Sequence, residues 1–152
     1  MRGFSLAELD IEHIMQQEFT ATCTDGGTVA LGQGIPHPRF YGTFPRKLRQ
    51  FVHEERLISL PFAVRGMTSL PAAFLGIPDR GLVKPGFFAD LVVFDESELR
   101  DMATYESPFE YARGIVHVMV NGSFALRDGK PTEVLAGRPI RRGGASEAEE
   151  RR

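Results

Sequence analysis

The chain has 152 residues, 42% of them hydrophobic and 25% charged, with a formal net charge of −2. That is the make-up of a globular protein with a sizeable core, and the near balance of charge excludes the basic footprint of a nucleic-acid or anionic-membrane binder. A single cysteine rules out an internal disulfide, no apolar run reaches bilayer-spanning length, and the first six residues lack the core of a signal peptide, so a cytoplasmic protein is expected.

Ser5, with Glu8 completing a capping box, starts a first helix that runs to about Gln17 and turns Leu6, Leu9, Ile14 and Met15 inward. Residues 19–24 read as a strand that ends at Asp25. Residues 26–41 are dense in glycine and proline and form an ordered, irregular loop, of a length that is usually functional or disordered. Thr43 caps a second helix carrying Leu48, Phe51, Val52 and Leu57 inward. Ser59 caps a third, with Leu60 and Pro61 in its first turn and Ala63, Val64 and Met67 buried. Ser69 opens a short fourth helix that stops at Gly76.

The character then changes. Asp79-Arg80-Gly81 and Lys84-Pro85-Gly86 are turns, and residues 89–95 form a continuous apolar run, as in a buried strand. Residues 115–120 and 123–127 pair through Asn121-Gly122, a two-residue hairpin signal, and Asp128-Gly129 closes the second strand. Phe87, Phe88 and Phe94 are core aromatics. From Arg141 the chain has no apolar residue larger than alanine and reads as a disordered tail. The organisation expected is α/β: residues 1–76, residues 77–140 and a tail at 141–152.

Asp25 is the first candidate for chemistry. A carboxylate at the carboxyl end of a strand, followed at once by Gly26 and Gly27, sits where α/β proteins place ligands and catalysis. Asp-Gly is also a plain turn signal, and on pattern alone both readings stand. The four histidines, His13, His37, His53 and His117, are far apart with no His-x-His pair. His13 and His53 read as surface helix residues, and His117 as a sheet residue. Cys23 shares a strand face with Asp25 and reads as a small buried residue. Lys47, Arg46 and Arg49 read as a solvated helix face.

A set of motifs in order carries a resemblance. They are Thr24-Asp25-Gly26, His37-Pro38-Arg39, Gly42-Thr43-Phe44-Pro45-Arg46, and the run from Ala63-Val64-Arg65-Gly66-Met67 to Thr68-Ser69-Leu70-Pro71-Ala72. Asp79-Arg80-Gly81, Ala89-Asp90-Leu91-Val92-Val93-Phe94-Asp95, Gly114-Ile115 and Val120-Asn121-Gly122 follow. With them the chain resembles the C-terminal part of the metal-dependent amidohydrolases, in the N-acyl-D-amino-acid deacylase (D-aminoacylase) branch, whose members are several times longer.

The resemblance implies the last strand and closing helices of a (β/α)8 barrel over residues 1–76, then part of a small β-sandwich over residues 77–140. It implies hydrolysis of the amide of an N-acyl-D-amino acid with zinc, which polarises the carbonyl and acidifies a bound water. Asp25 then takes the catalytic carboxylate position, accepts the water's proton and passes it to the leaving amine. It also gives Asp25 a share in a second, loosely held metal. His37, Arg39 and Tyr41 fall in the loop that closes over the active site, where a guanidinium can pair with the substrate carboxylate. His37 and Arg39 equally suit a bracing role within the loop.

The family's zinc ligands come from strands absent here, so no bound zinc and no activity are expected of the chain alone. A lone last strand and half a sandwich expose unpaired edges and an apolar face. The partners expected are a missing barrel portion in trans, or another copy through self-association. A split or truncated gene is one origin. The competing reading is a non-catalytic remnant that serves as a structural or interaction module.

Overall fold

The structure is a computed structural model, and it describes residues 6–27, 29–30 and 32–140. The Ser5 cap and the tail at 141–152 lie outside the described residues. Four α-helices, a π-helix and a four-stranded antiparallel sheet follow one another in chain order.

Helix α1 (Glu8–Met15) has Ala7 at its N-cap and no side-chain cap. Ile11 and Met15, one helical turn apart, pack against the core, whereas Leu6, Leu9 and Ile14 are exposed. The expected inner face was therefore misplaced. Leu9 and Ile14 stand five residues apart and cannot share a face that Ile11 and Met15 hold.

Helix α2 (Arg39–Arg46) starts before the expected Thr43 cap, with Pro38 at the N-cap. Thr43 is an interior residue whose hydroxyl donates to the Arg39 carbonyl at 2.8 Å. Pro45 lacks the N–H that would continue the ladder, and directly after Arg46 the chain winds as a π-helix, Lys47–Glu54. The wider winding puts residues five apart on one face. Arg49 Nη1 donates to Glu54 Oε2 at 2.7 Å, and Gln50 Nε2 to Glu55 Oε1 at 2.7 Å.

Helix α3 (Leu60–Met67) is capped by Ser59, whose side chain accepts from the Phe62 N–H, with proline in the first turn. Ala63 is fully buried, while Val64 is exposed and Phe62 faces the core in its place. Helix α4 (Ser69–Leu75) ends where Gly76 takes the left-handed conformation.

The sheet runs β1 (Leu91–Phe94), β2 (Ile115–Val120), β3 (Ser123–Arg127) and β4 (Lys130–Pro131), each antiparallel to the next. Asn121 and Gly122, with φ of 50° and 81°, make the tight turn between β2 and β3. Around it Arg80 pairs with Asp90 and donates to Asn121 Oδ1 at 2.6 Å, and Asn121 N–H donates to Asp90 Oδ1 at 2.7 Å. The motifs Asp79-Arg80-Gly81, Ala89-Asp90 and Asn121-Gly122 thus form one polar clasp that fastens the sheet's entry to its hairpin.

Two expectations for this unit fail. Residues Val92 and Val93 are 55% and 48% exposed, so β1 is open on both faces rather than buried. Phe87 and Phe88 are only half-buried: the Lys84 ammonium lies 5.3 Å from the Phe87 ring centre, and the Arg80 and Arg138 guanidiniums lie 4.3 and 4.9 Å from that of Phe88.

One core joins the helices to the sheet. Leu48, Phe51, Ile58 and Ala63 bury together with Leu99, which comes from the β1–β2 connection and has no exposed surface; Phe94 and Ile115 pack against them. Gly114 permits this insertion. Its φ is +82°, and a Cβ there would stand 2.6 Å from the Leu99 nitrogen. No other residue fits.

Candidate active site

The segment expected as a strand, residues 19–24, is extended but pairs with no strand among the described residues. It keeps a strand's alternation: Thr22 and Thr24 are half-buried, while Ala21, Cys23 and Asp25 are exposed. Helix α3 and the π-helix hold it instead. Arg65 Nη1 donates to the Glu18 carbonyl at 2.7 Å, Thr22 N–H to the Gly66 carbonyl at 2.9 Å, and Lys47 Nζ to Thr22 Oγ1 at 2.6 Å. Cys23, expected inside, is exposed because its neighbours Thr22 and Thr24 take the helix-facing side.

Asp25 ends the segment with φ +46°, and its side chain is 82% exposed. Arg39, at the start of α2, places Nη2 2.9 Å from Asp25 Oδ2. Between them the backbone passes close to the Phe40 ring: a Cβ on Gly26 would come within 3.0 Å of Phe40 Cδ1. The loop thereby folds back so that its two ends meet as an ion pair.

His37 and Tyr41 are held from outside the loop as well. His37 Nδ1 accepts the Arg39 N–H at 3.0 Å, which puts the neutral ring's proton on Nε2, 2.9 Å from the Tyr105 hydroxyl. The ring also meets Tyr105 edge to face at 5.0 Å. Tyr41 makes edge contacts with Phe109 and Tyr111, at 6.3 and 5.5 Å. Sequence reasoning missed this aromatic stretch. Its density of Tyr105, Phe109 and Tyr111 in a loop was the available signal.

Lys47 and Arg49, read as solvated, are not. Lys47 is buried and its pKa is lowered by desolvation. Arg49 pairs with Asp101 at 2.6 Å as well as with Glu54 at 2.7 Å, and the Asp101 hydrogen bond raises its pKa. His53, also expected at the surface, is half-buried, with Nδ1 3.3 Å from Glu96 Oε1 and Nε2 buried without a partner among the described residues. The π winding turns this side of the helix onto the 96–101 connection, which a helix read alone does not reveal. His13 is exposed, and His117 is a sheet residue that accepts the Asp128 N–H through Nδ1 at 3.1 Å.

Among the described residues no group of three or more His, Cys, Asp or Glu side chains is arranged to hold a metal ion. The described residues do not by themselves fit a zinc site. No helix among them is long and apolar enough to cross a membrane.

Residues 21–125, which include Asp25, the loop and the sheet to β3, match the amidohydrolase family. The chain belongs to that family. As an amidohydrolase it is 38% identical over 139 residues to the N-acyl-D-glutamate deacylase of Alcaligenes xylosoxydans xylosoxydans, an overlap covering 91% of this chain and 28% of that one. Its fold is similar to the crystal structure of a D-aminoacylase, with TM-score 0.78 and 42% identity over 85% of this chain and 27% of the other. It is similar too to the N-acyl-D-glutamate deacylase of Bordetella bronchiseptica, solved with zinc and a phosphonate mimic of the reaction's tetrahedral intermediate. There the TM-score is 0.73 and the identity 38%, over 87% of this chain and 28% of that one. The chain spans little more than a quarter of the length of these relatives.

Proposed function

We propose that this chain is the C-terminal part of an N-acyl-D-amino-acid deacylase, contributing the catalytic carboxylate and the substrate-carboxylate clamp to a barrel whose other strands lie outside this sequence. In this reading α1 is the helix before the last strand, residues 19–24 are the eighth barrel strand, α2, the π-helix, α3 and α4 are the closing helices, and the sheet is a share of the small sandwich. One observation carries it: Asp25 and Arg39 meet at 2.9 Å at the end of an extended segment, within the stretch that matches the family.

Each group has a defined task. Asp25 accepts the proton of the attacking water and returns it to the leaving amine as the C–N bond breaks. Arg39 gives its guanidinium to the carboxylate of the N-acyl amino acid, a two-pronged pairing that fixes the scissile amide beside Asp25. His37 sets the start of α2 and with it the direction of Arg39, while Tyr41 seats the helix on the aromatic stretch. Zinc ligands belong to the remaining barrel strands in this reading, since the described residues do not make a site.

The test is complementation. The remaining portion of a related deacylase, co-expressed with this chain, should bind it and hydrolyse an N-acyl-D-amino acid. Asp25→Asn keeps the shape and removes the base, so the complex should form without turnover. A fully active Asp25→Asn complex, or a stable complex of the parent chain with no hydrolysis, would overturn the reading.

A further inference from the structure

The extended segment that carries Asp25 has no strand beside it among the described residues, so its place depends on one backbone bond to Gly66 and a few side-chain ties. The costliest of these is Lys47. Its side chain is buried, at 5% exposure, and among the described residues its ammonium donates to one group, Thr22 Oγ1, at 2.6 Å. No carboxylate among the described residues pairs with it. A buried ammonium with a single hydroxyl partner costs stability, and an apolar side chain of the same length would fill the space at less cost. Stability therefore does not account for a lysine here.

Location does. Lys47 begins the π-helix, directly after α2, and α2 begins with Arg39. Its ammonium reaches Thr22, three residues before Asp25, on the face opposite to Asp25. The backbone of Thr22 is tied at the same point to the Gly66 carbonyl. One helical rod thus holds the Asp25 segment at Thr22 and holds Asp25 itself through Arg39.

We propose that Lys47 is a positioning residue: by fixing Thr22 it sets the place and direction of Asp25 relative to Arg39. The proposal rests on Asp25 being the proton acceptor of the reaction. A displacement of that carboxylate by ~1 Å would cost on the order of a hundredfold in rate.

Two variants test it, Lys47→Met, which keeps the stem and removes the ammonium, and Thr22→Val, which keeps the shape and removes the acceptor. In the chain alone, amide exchange at Thr22 should quicken by about tenfold in each, with the amides of β2 unchanged. In the complemented enzyme kcat should fall by about tenfold or more while KM stays within about twofold, because substrate binding does not use Lys47. Thermal midpoints should hold or rise for Lys47→Met, which a purely structural role would not give. Unchanged exchange at Thr22, or a kcat within about twofold of the parent, overturns the proposal. Should Lys47→Met fail to fold, Thr22→Val decides by the same readouts. An active Asp25→Asn enzyme would strike the functional reading alone, leaving the exchange measurement to judge the Lys47 tie.

Discussion

Arg39 Nη2 stands 2.9 Å from Asp25 Oδ2, so the two groups assigned to catalysis and to substrate binding neutralise each other in the chain alone. Asp25 is largely exposed and Arg39 partly so, and a solvated pair contributes little to stability. The pairing is better understood as a placement. It brings the end of the extended segment and the start of α2 to one point, where a substrate carboxylate could exchange with Asp25 for the guanidinium.

Arg39→Ala should leave the folding stability of the chain within about 1 kcal/mol of the parent, since the pair is solvated. In the complemented enzyme it should raise KM for an N-acyl amino acid by about tenfold or more, through loss of a charge-assisted bidentate contact. Chemical denaturation and steady-state kinetics check the two halves. A large loss of stability with KM unchanged would make Arg39 a bracing residue.

The purified chain should neither bind zinc tightly nor hydrolyse N-acyl amino acids with added zinc, because a zinc site needs several converging ligands. Isothermal titration with zinc is the direct check. Turnover that disappears in Asp25→Ala would show a site assembled within the chain.

Strand β1 exposes Val92 on one face and Val93 on the other. Uncovered apolar strand surface pairs with whatever it meets. The chain alone should therefore self-associate, which light scattering measures. A monomer with a sharp cooperative melt would contradict this.

Leu99→Ala should cost about 2–5 kcal/mol, the loss of a fully buried side chain that joins sheet to helices. Gly114→Ala should cost about 1–3 kcal/mol or more through strain at positive φ, since its Cβ would meet the Leu99 backbone. Urea denaturation of both variants, with the double mutant less than additive, checks that the two act at one contact.

Burial lowers the pKa of Lys47 in the folded chain. Between that lowered value and the ordinary lysine value the unfolded chain holds more protons, so stability should rise with pH across that window. Below the window the full cost of the buried charge remains. Lys47→Met should remove this rise, as seen in urea midpoints measured across the window. An unchanged slope would mean that Lys47 titrates normally.

Local features were legible in the chain because each is written in neighbouring residues. Ser59 caps α3, Gly76 ends α4, and Asn121-Gly122 turns β2 into β3, each fixed by the φ or hydrogen bond that its side chain permits. Whatever depends on distant partners was set by packing in three dimensions. Period alone did not show that Ile11 rather than Leu9 faces inward, or that Pro45 hands α2 over to a π-helix that buries Lys47. Nor did it show that residues 105–111 lie against His37 and Tyr41. The motif containing Asp25 was legible, but its ion pair with Arg39 depends on how the loop between them folds over Phe40, and a loop's path is set by what it packs against.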